Sequence, residues 1–152
     1  MHIAIAADHA GYPLKQVVAD DLRGAGHTVV DLGTHDPNQP ADYPDLVQPA
    51  CEMVRNGQAQ RAILICGSGV GMSVAANKFP GIRAGLCHDH YSAHQGVEHD
   101  DMNVLCLGAR IIGQELAREI VQAFVTARFS GEERHKRRLA KVQAIETRFL
   151  KP

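Results

Sequence analysis

The sequence predicts an α/β protein with a parallel sheet covered by helices on both faces, and three observations predict it. Short apolar runs of strand length alternate with segments of helical periodicity along the whole chain. The third of these runs is apolar without a break, as a strand buried on both faces requires. The chain has 152 residues, 45% of them hydrophobic and 22% charged, which suits one core of ordinary composition.

Each element can be justified in turn. Ile3–Ala7 is the first strand. Pro13 fits a first helical position, and Leu14, Val17, Val18 and Leu22 follow at helical spacing until Gly24 and Gly26 punctuate the end. Thr28–Leu32 is the second strand. The Pro- and Asp-rich run from Asp36 to Pro44 is an ordered loop and not a linker, because a helical pattern resumes at once. Ala62–Cys66 is the third strand, Ile82–Cys87 the fourth and Val104–Leu107 the fifth. Leu116, Ile120 and Phe124 mark a helix, and a last helix is expected from about Glu133 to Phe149. No repeat or low-complexity segment interrupts the pattern, so residues 1–152 read as a single domain with a five-stranded sheet.

Composition excludes several function classes. A formal net charge of −1 argues against a general nucleic-acid binder. No apolar stretch approaches the length of a membrane span. Met1-His2-Ile3 leads directly into a strand without a leader pattern, and Cys51, Cys66, Cys87 and Cys106 form no CxxC pair. The expectation is a cytoplasmic protein with reduced thiols.

In open α/β sheets, ligands bind at the carboxyl ends of the strands, and there the sequence concentrates chemistry. The first strand ends in Asp8-His9-Ala10-Gly11, where Asp8 is either a helix cap or a working carboxylate. The third ends in Cys66-Gly67-Ser68-Gly69-Val70-Gly71. Its glycines let the backbone approach a ligand, and a helix opening there aims free N–H groups at an anion. The spacing is neither a dinucleotide fingerprint nor a P-loop. Cys66 is either a buried strand residue or, beside a helix start that favours thiolate, a base or nucleophile. Ser68 either supports the thiol or makes the turn. The run from His88 to Asp101 invites a metal reading, since His90 and His94 share a helix face, but no ligand set closes. His99 sits in a turn-like His-Asp-Asp stretch before the fifth strand. Arg134 and Arg138, at i and i+4 on the last helix, form either a solvated charged face or a guanidinium fork for a phosphate.

Taken together, these motifs resemble ribose 5-phosphate isomerase type B, within a family that also holds galactose 6-phosphate isomerase subunits and enzymes accepting allose 6-phosphate. The resemblance is carried by Asp8-His9-Ala10-Gly11 with Leu14-Lys15, Asp42-Tyr43-Pro44, Ile65 to Gly71, Ala75-Ala76-Asn77-Lys78 and Gly81-Ile82-Arg83-Ala84. Asn103-Val104-Leu105, Gly108-Ala109-Arg110 and the Arg134-His135 helix complete it, in order along the chain.

The resemblance implies a Rossmann-like three-layer sandwich, assembled as a homodimer with shared sites, two of which often pair to a tetramer. The helix within 131–150 would pack on the partner subunit. It implies aldose–ketose isomerisation of ribose 5-phosphate, in the pentose phosphate part of carbohydrate metabolism, without metal or organic cofactor. Cys66 would move the proton, Ser68 would support it, and the amides of Gly67, Gly69, Val70 and Gly71 would stabilise the enediolate. Asp8 and His99 would open the sugar ring, with His99 supplied by the partner. His9, Arg110, Arg134 and Arg138 would hold the phosphate, and Tyr43 would line the pocket. Met72 occupies the position at which some members carry a Glu base, so this chain falls in the cysteine type. Asp100 stands where the family commonly has Asn, which bears on the substrate. The alternatives are a hexose 6-phosphate isomerase, for allose or galactose 6-phosphate, and a non-catalytic sugar-phosphate-binding module.

Overall fold

The computed structural model describes residues 1–150. Its strands are β1 (His2–Ala7), β2 (Thr28–Asp31), β3 (Arg61–Cys66), β4 (Ala84–Leu86) and β5 (Val104–Gly108). Its helices are α1 (Tyr12–Gly24), α2 (Tyr43–Arg55), α3 (Val70–Ala76), α4 (His90–Asp100), α5 (Gln114–Thr126) and α6 (Glu133–Phe149). The strands form one sheet in the order β2-β1-β3-β5-β4, every pairing parallel. This is the α/β architecture expected from the sequence.

The two faces of the sheet are built from different residues, because side chains alternate along a strand. Ile3, Ile5, Ile63, Ile65, Leu105 and Leu107 point to one face and pack against α1, α4 and α5, with Phe124 fully buried among them. Ala4, Ala6, Ala62, Leu64, Val104 and Cys106 point to the other and meet α2 and α3 through Val47, Ala50, Cys51, Met72 and Ala76. The α2–α3 side is therefore the thinner layer.

Two boundaries differ from the sequence reading. The fourth strand is only Ala84–Leu86, not Ile82–Cys87. Side-chain amides replace ladder bonds at its entry: Asn77 Oδ1 accepts from the Ala84 N–H at 2.9 Å, its Nδ2 donates to the Ala84 carbonyl at 2.9 Å, and Asn103 Oδ1 accepts from the Arg83 N–H at 2.8 Å. Ile82 and Cys87 are apolar because they are buried, not because they extend the strand. His99 belongs to the last turn of α4 and not to a loop. Asp89 caps that helix, accepting from the Ser92 N–H at 2.7 Å, and Asp101 ends it in the left-handed conformation with φ 50°.

Lys15 on α1 is wholly buried. Its Nζ donates to Asp31 Oδ1 at 2.7 Å and to the Thr34 carbonyl at 2.7 Å, tying α1 to the end of β2 and to the loop that leads to α2. Asp31 Oδ1 also accepts from the Gly33 N–H at 3.0 Å. A buried ammonium without its carboxylate is far more costly than the intact pair. Asp31→Ala is expected to destabilise the chain by about 3 kcal/mol or more, read from urea unfolding midpoints; a loss below about 1 kcal/mol would show that the pair is dispensable.

Candidate active site

The carboxyl ends of β1, β3 and β5 are bound together by main-chain hydrogen bonds that continue past the strands. The Asp8 N–H donates to the Ile65 carbonyl at 3.2 Å, Ala109 to Cys66 at 2.8 Å, and Arg110 to Gly67 at 3.0 Å. Above them opens a cleft of about 440 Å³ lined by Asp8, His9, Ala10, Tyr43, Cys66, Gly67, Ser68, Gly71, Arg110 and Ile111. Eight of these ten were singled out from the sequence; Ala10 and Ile111 were not. Ile111 is 58% exposed, and an apolar residue directly after Arg110 was the available signal.

The Cys66 side chain forms the floor. Its Sγ accepts the Gly69 N–H at 3.0 Å. Gly69 has φ 78°, and a Cβ there would come within 2.9 Å of the Leu107 carbonyl carbon, so only glycine can carry this amide under the sulfur. Ser68 does not meet the thiol. Its Oγ accepts the Val70 N–H at 3.3 Å, which is the turn-making role. Two of the loop amides expected for an anion are thus engaged internally, at Gly69 and Val70. Gly71 and Met72 stand in the first turn of α3, where N–H groups have no partner within the helix.

Asp8 is not the cap of α1, whose N-cap is Gly11 with no side-chain bond. Its Oδ1 accepts the Gly11 N–H at 3.0 Å and holds the turn that follows β1, while the residue itself lines the cleft. Tyr43, the first residue of α2, lies flat over Gly71, with ring carbons 2.9–3.1 Å from where a Cβ would stand. The stem of Arg110 passes over Gly67.

The remaining expected residues are elsewhere in this chain. Gly69 is buried behind the cleft, Val70 is exposed outside its lining, and Asp100 lines a different groove of about 700 Å³ beneath α6. His99 ends α4, with its ring stacked on His135 at 4.0 Å between centroids. Arg134 and Arg138 are exposed on α6, where Arg134 Nε donates to Glu132 Oε2 at 2.8 Å. None of these six residues lines the Cys66 cleft of the same chain.

Among the described residues no three His, Cys, Asp or Glu side chains gather closely enough to hold a metal ion. No helix among them is long and apolar enough to cross a membrane. All four cysteines are free. Burial pushes the Cys51 thiol up to about 12 and the Cys87 thiol to about 11, and it raises Cys106 further still. Burial, then His99 and Arg134, hold His135 below its ordinary value of 6.5.

A thiol at the floor of a polar cleft, glycine-loop amides, an imidazole and a guanidinium suit proton transfer on an anionic sugar substrate. Comparison with known proteins gives the same class. Residues 3–142 match the family model described as Ribose/Galactose Isomerase. The chain is 43% identical to ribose-5-phosphate isomerase B of Escherichia coli over 96% of this chain and 97% of that one. It is 43% identical to D-erythrulose-4-phosphate isomerase of Pectobacterium atrosepticum over 86% of each. The solved structure of Clostridium thermocellum ribose-5-phosphate isomerase B superposes with a TM-score of 0.94 at 46% identity, covering 98% of this chain and 99% of that one. The molecule is an aldose–ketose isomerase of sugar phosphates. It belongs to the ribose/galactose isomerase family.

Two outcomes follow from these environments. A small neutral alkylating agent applied to the native protein near neutral pH is expected to modify Cys66 alone, as peptide mass mapping would show; labelling of Cys51 or Cys87 at an equal rate would contradict the burial that raises their thiols. His135 binds its proton less readily folded than unfolded, so its contribution to stability is complete above 6.5 and is lost as pH falls through its lowered folded value. Urea midpoints compared at about pH 7.5 and pH 5.5 are therefore expected to drop less in His135→Phe than in the wild type.

Proposed function

We propose that this enzyme interconverts ribose 5-phosphate and ribulose 5-phosphate, with Cys66 as the base. The observation that carries the proposal is the Cys66 sulfur at the cleft floor, held by the Gly69 amide beneath the glycine loop. The thiolate removes the proton from C2 of the open-chain aldose, leaving a cis-enediolate, and returns it to C1 to give the ketose. With the Gly69 amide under the sulfur and the Val70 amide on Ser68, the enediolate falls to the amides of Gly67, Ser68 and Gly71. Ser68 acts by shaping that loop. His9 and Arg110 bind the phosphate, Asp8 binds the sugar and helps open its ring, and Tyr43 walls the cleft. The four free thiols favour a reducing, cytoplasmic setting.

The rest of the site comes from a second copy of the chain. Of the 17 residues of α6 only His135 is buried, while Val142, Ile145 and Phe149 are exposed on it. A helix with this apolar surface needs a partner. Val70, Val74, Leu86 and Ile111 are likewise exposed around the Cys66 loop. A homodimer that covers both surfaces would bring His99, Asp100, Arg134 and Arg138 of one subunit to the cleft of the other. Asp100, as a carboxylate, suits a sugar hydroxyl better than an oxyanion. That favours testing four-carbon and hexose 6-phosphates beside the pentose.

Cys66→Ala is expected to lower turnover of ribose 5-phosphate by about 100-fold to 10,000-fold without changing the unfolding temperature. Retained turnover would mean a different base, and a wild type inactive on the pentose but active on erythrulose 4-phosphate or allose 6-phosphate would reassign the substrate. Cys66→Ala mixed with His99→Asn is expected to recover about a quarter of wild-type turnover once subunits exchange, because half the dimers are mixed and one of their two sites is intact. No recovery would place His99 in the same site as the Cys66 of its own chain.

A further inference from the structure

His135 has a use that the proposed roles leave unassigned. Among the described residues it is the one fully buried histidine, and it is the one buried residue of α6. Its ring lies against the His99 ring, 4.0 Å between centroids and 28° between planes. Its Nδ1 shares a hydrogen with Ser130 Oγ at 2.6 Å, and that oxygen also accepts the Glu132 N–H at 3.2 Å. Ser130 is in turn fixed to α4, its N–H donating to the Glu98 carbonyl at 2.9 Å. The chain between α5 and α6 is thus tied to the residue directly before His99, and the buried imidazole is tied to that chain. His135 Nε2 is buried without a partner. A polar atom left unpaired in this way destabilises the fold, so a flat apolar residue would pack there at lower cost. Packing alone does not account for a histidine at this place.

We infer that His135 is a positioning residue for His99: its buried ring, locked by Ser130, is the platform that fixes the plane of the His99 imidazole. The inference rests on the ring-opening role proposed for His99. That imidazole has one face on the platform and the Glu98 carboxylate 3.6 Å from its Nε2, with its side chain 29% exposed. Without the platform, a half-exposed imidazole at a helix end turns freely about two torsions, and general acid–base chemistry needs it in one orientation. Burial and the adjacent His99 also hold the His135 imidazole below its ordinary value, which favours an uncharged platform. Two adjacent imidazolium ions repel, and the buried one is the harder to charge.

The experiment is a double-mutant cycle read together with side-chain NMR of His99. His135→Ala is expected to lower kcat by about tenfold or more, with KM changing by less than about threefold. His135→Phe, which keeps a flat platform, is expected to stay within about threefold of wild type. In the His99→Asn background His135→Ala is expected to add no further loss, since there is no imidazole left to orient. An equal loss in both backgrounds would mean that His135 only supports the fold, and the inference falls. If His135→Ala does not fold, Ser130→Ala, which frees the platform from an exposed loop, is read in the same cycle with the same expectation. The imidazole signals of His99 are expected to shift and broaden when His135 or Ser130 is replaced; unchanged signals would overturn the inference. Full turnover in His99→Asn would refute the ring-opening role instead, and the NMR result would still decide whether His135 orients His99.

Discussion

The structure depends on what β3 does after it stops being a strand. The carbonyls of Ile65, Cys66 and Gly67 accept the N–H groups of Asp8, Ala109 and Arg110. Three segments distant in sequence are thereby held at fixed separations by the main chain, which has few ways to relax. Asp8, Cys66 and Arg110 inherit their relative positions from those bonds, not from contacts between their own side chains. Precision of this kind is what proton transfer at carbon requires, since the base must stand within reach of a single C–H bond.

The chemistry is divided between rigid and peripheral parts of the chain. The thiol and the loop amides belong to the buried end of the sheet. The residues proposed to complete the site, His99, Asp100, Arg134 and Arg138, are on α4 and α6, and His135 is the one buried residue of α6. On the proposed reading the reacting carbon meets a preorganised surface, while part of the recognition falls to elements that a second subunit would bring. Burial sorts the sulfur atoms in the same spirit. Three thiols serve as small core residues with their ionisation suppressed, and the fourth sits where the backbone offers it a donor.

Most of the fold was legible because periodicity and punctuation are local. The unbroken run at Ala62–Cys66, Pro13 at the start of α1 and the glycines after Leu22 each mark their elements from nearby residues alone. Where the reading slipped, the cause was non-local. Ile82 and Cys87 look like strand residues because the core buries them, yet the amides of Asn77 and Asn103 decide where β4 begins. His99 looks like a loop residue because two aspartates follow it, but the Asp89 cap starts α4 early enough to include it. In the site, residues at strand ends could be found because topology fixes where strand ends go. The engagement of the Gly69 amide by sulfur, the burial of Lys15 and the stacking of His135 depend on side-chain packing that no spacing rule encodes.

The unequal layers of the sandwich carry a consequence for how such an enzyme can change. On the α1–α5 side, large aliphatic residues meet Phe124, and volume can be traded among them without reaching the cleft. On the other side Ala4, Ala6, Ala62 and Ala76 hold α2 and α3 close to the sheet, and those two helices carry Tyr43 and the end of the Cys66 loop. A methyl group added behind either helix has nowhere to go but outward, and it takes a wall of the cleft with it. Substrate preference can therefore drift through residues that never touch a substrate. Descendants that share every residue of the cleft can still differ in the sugars they accept.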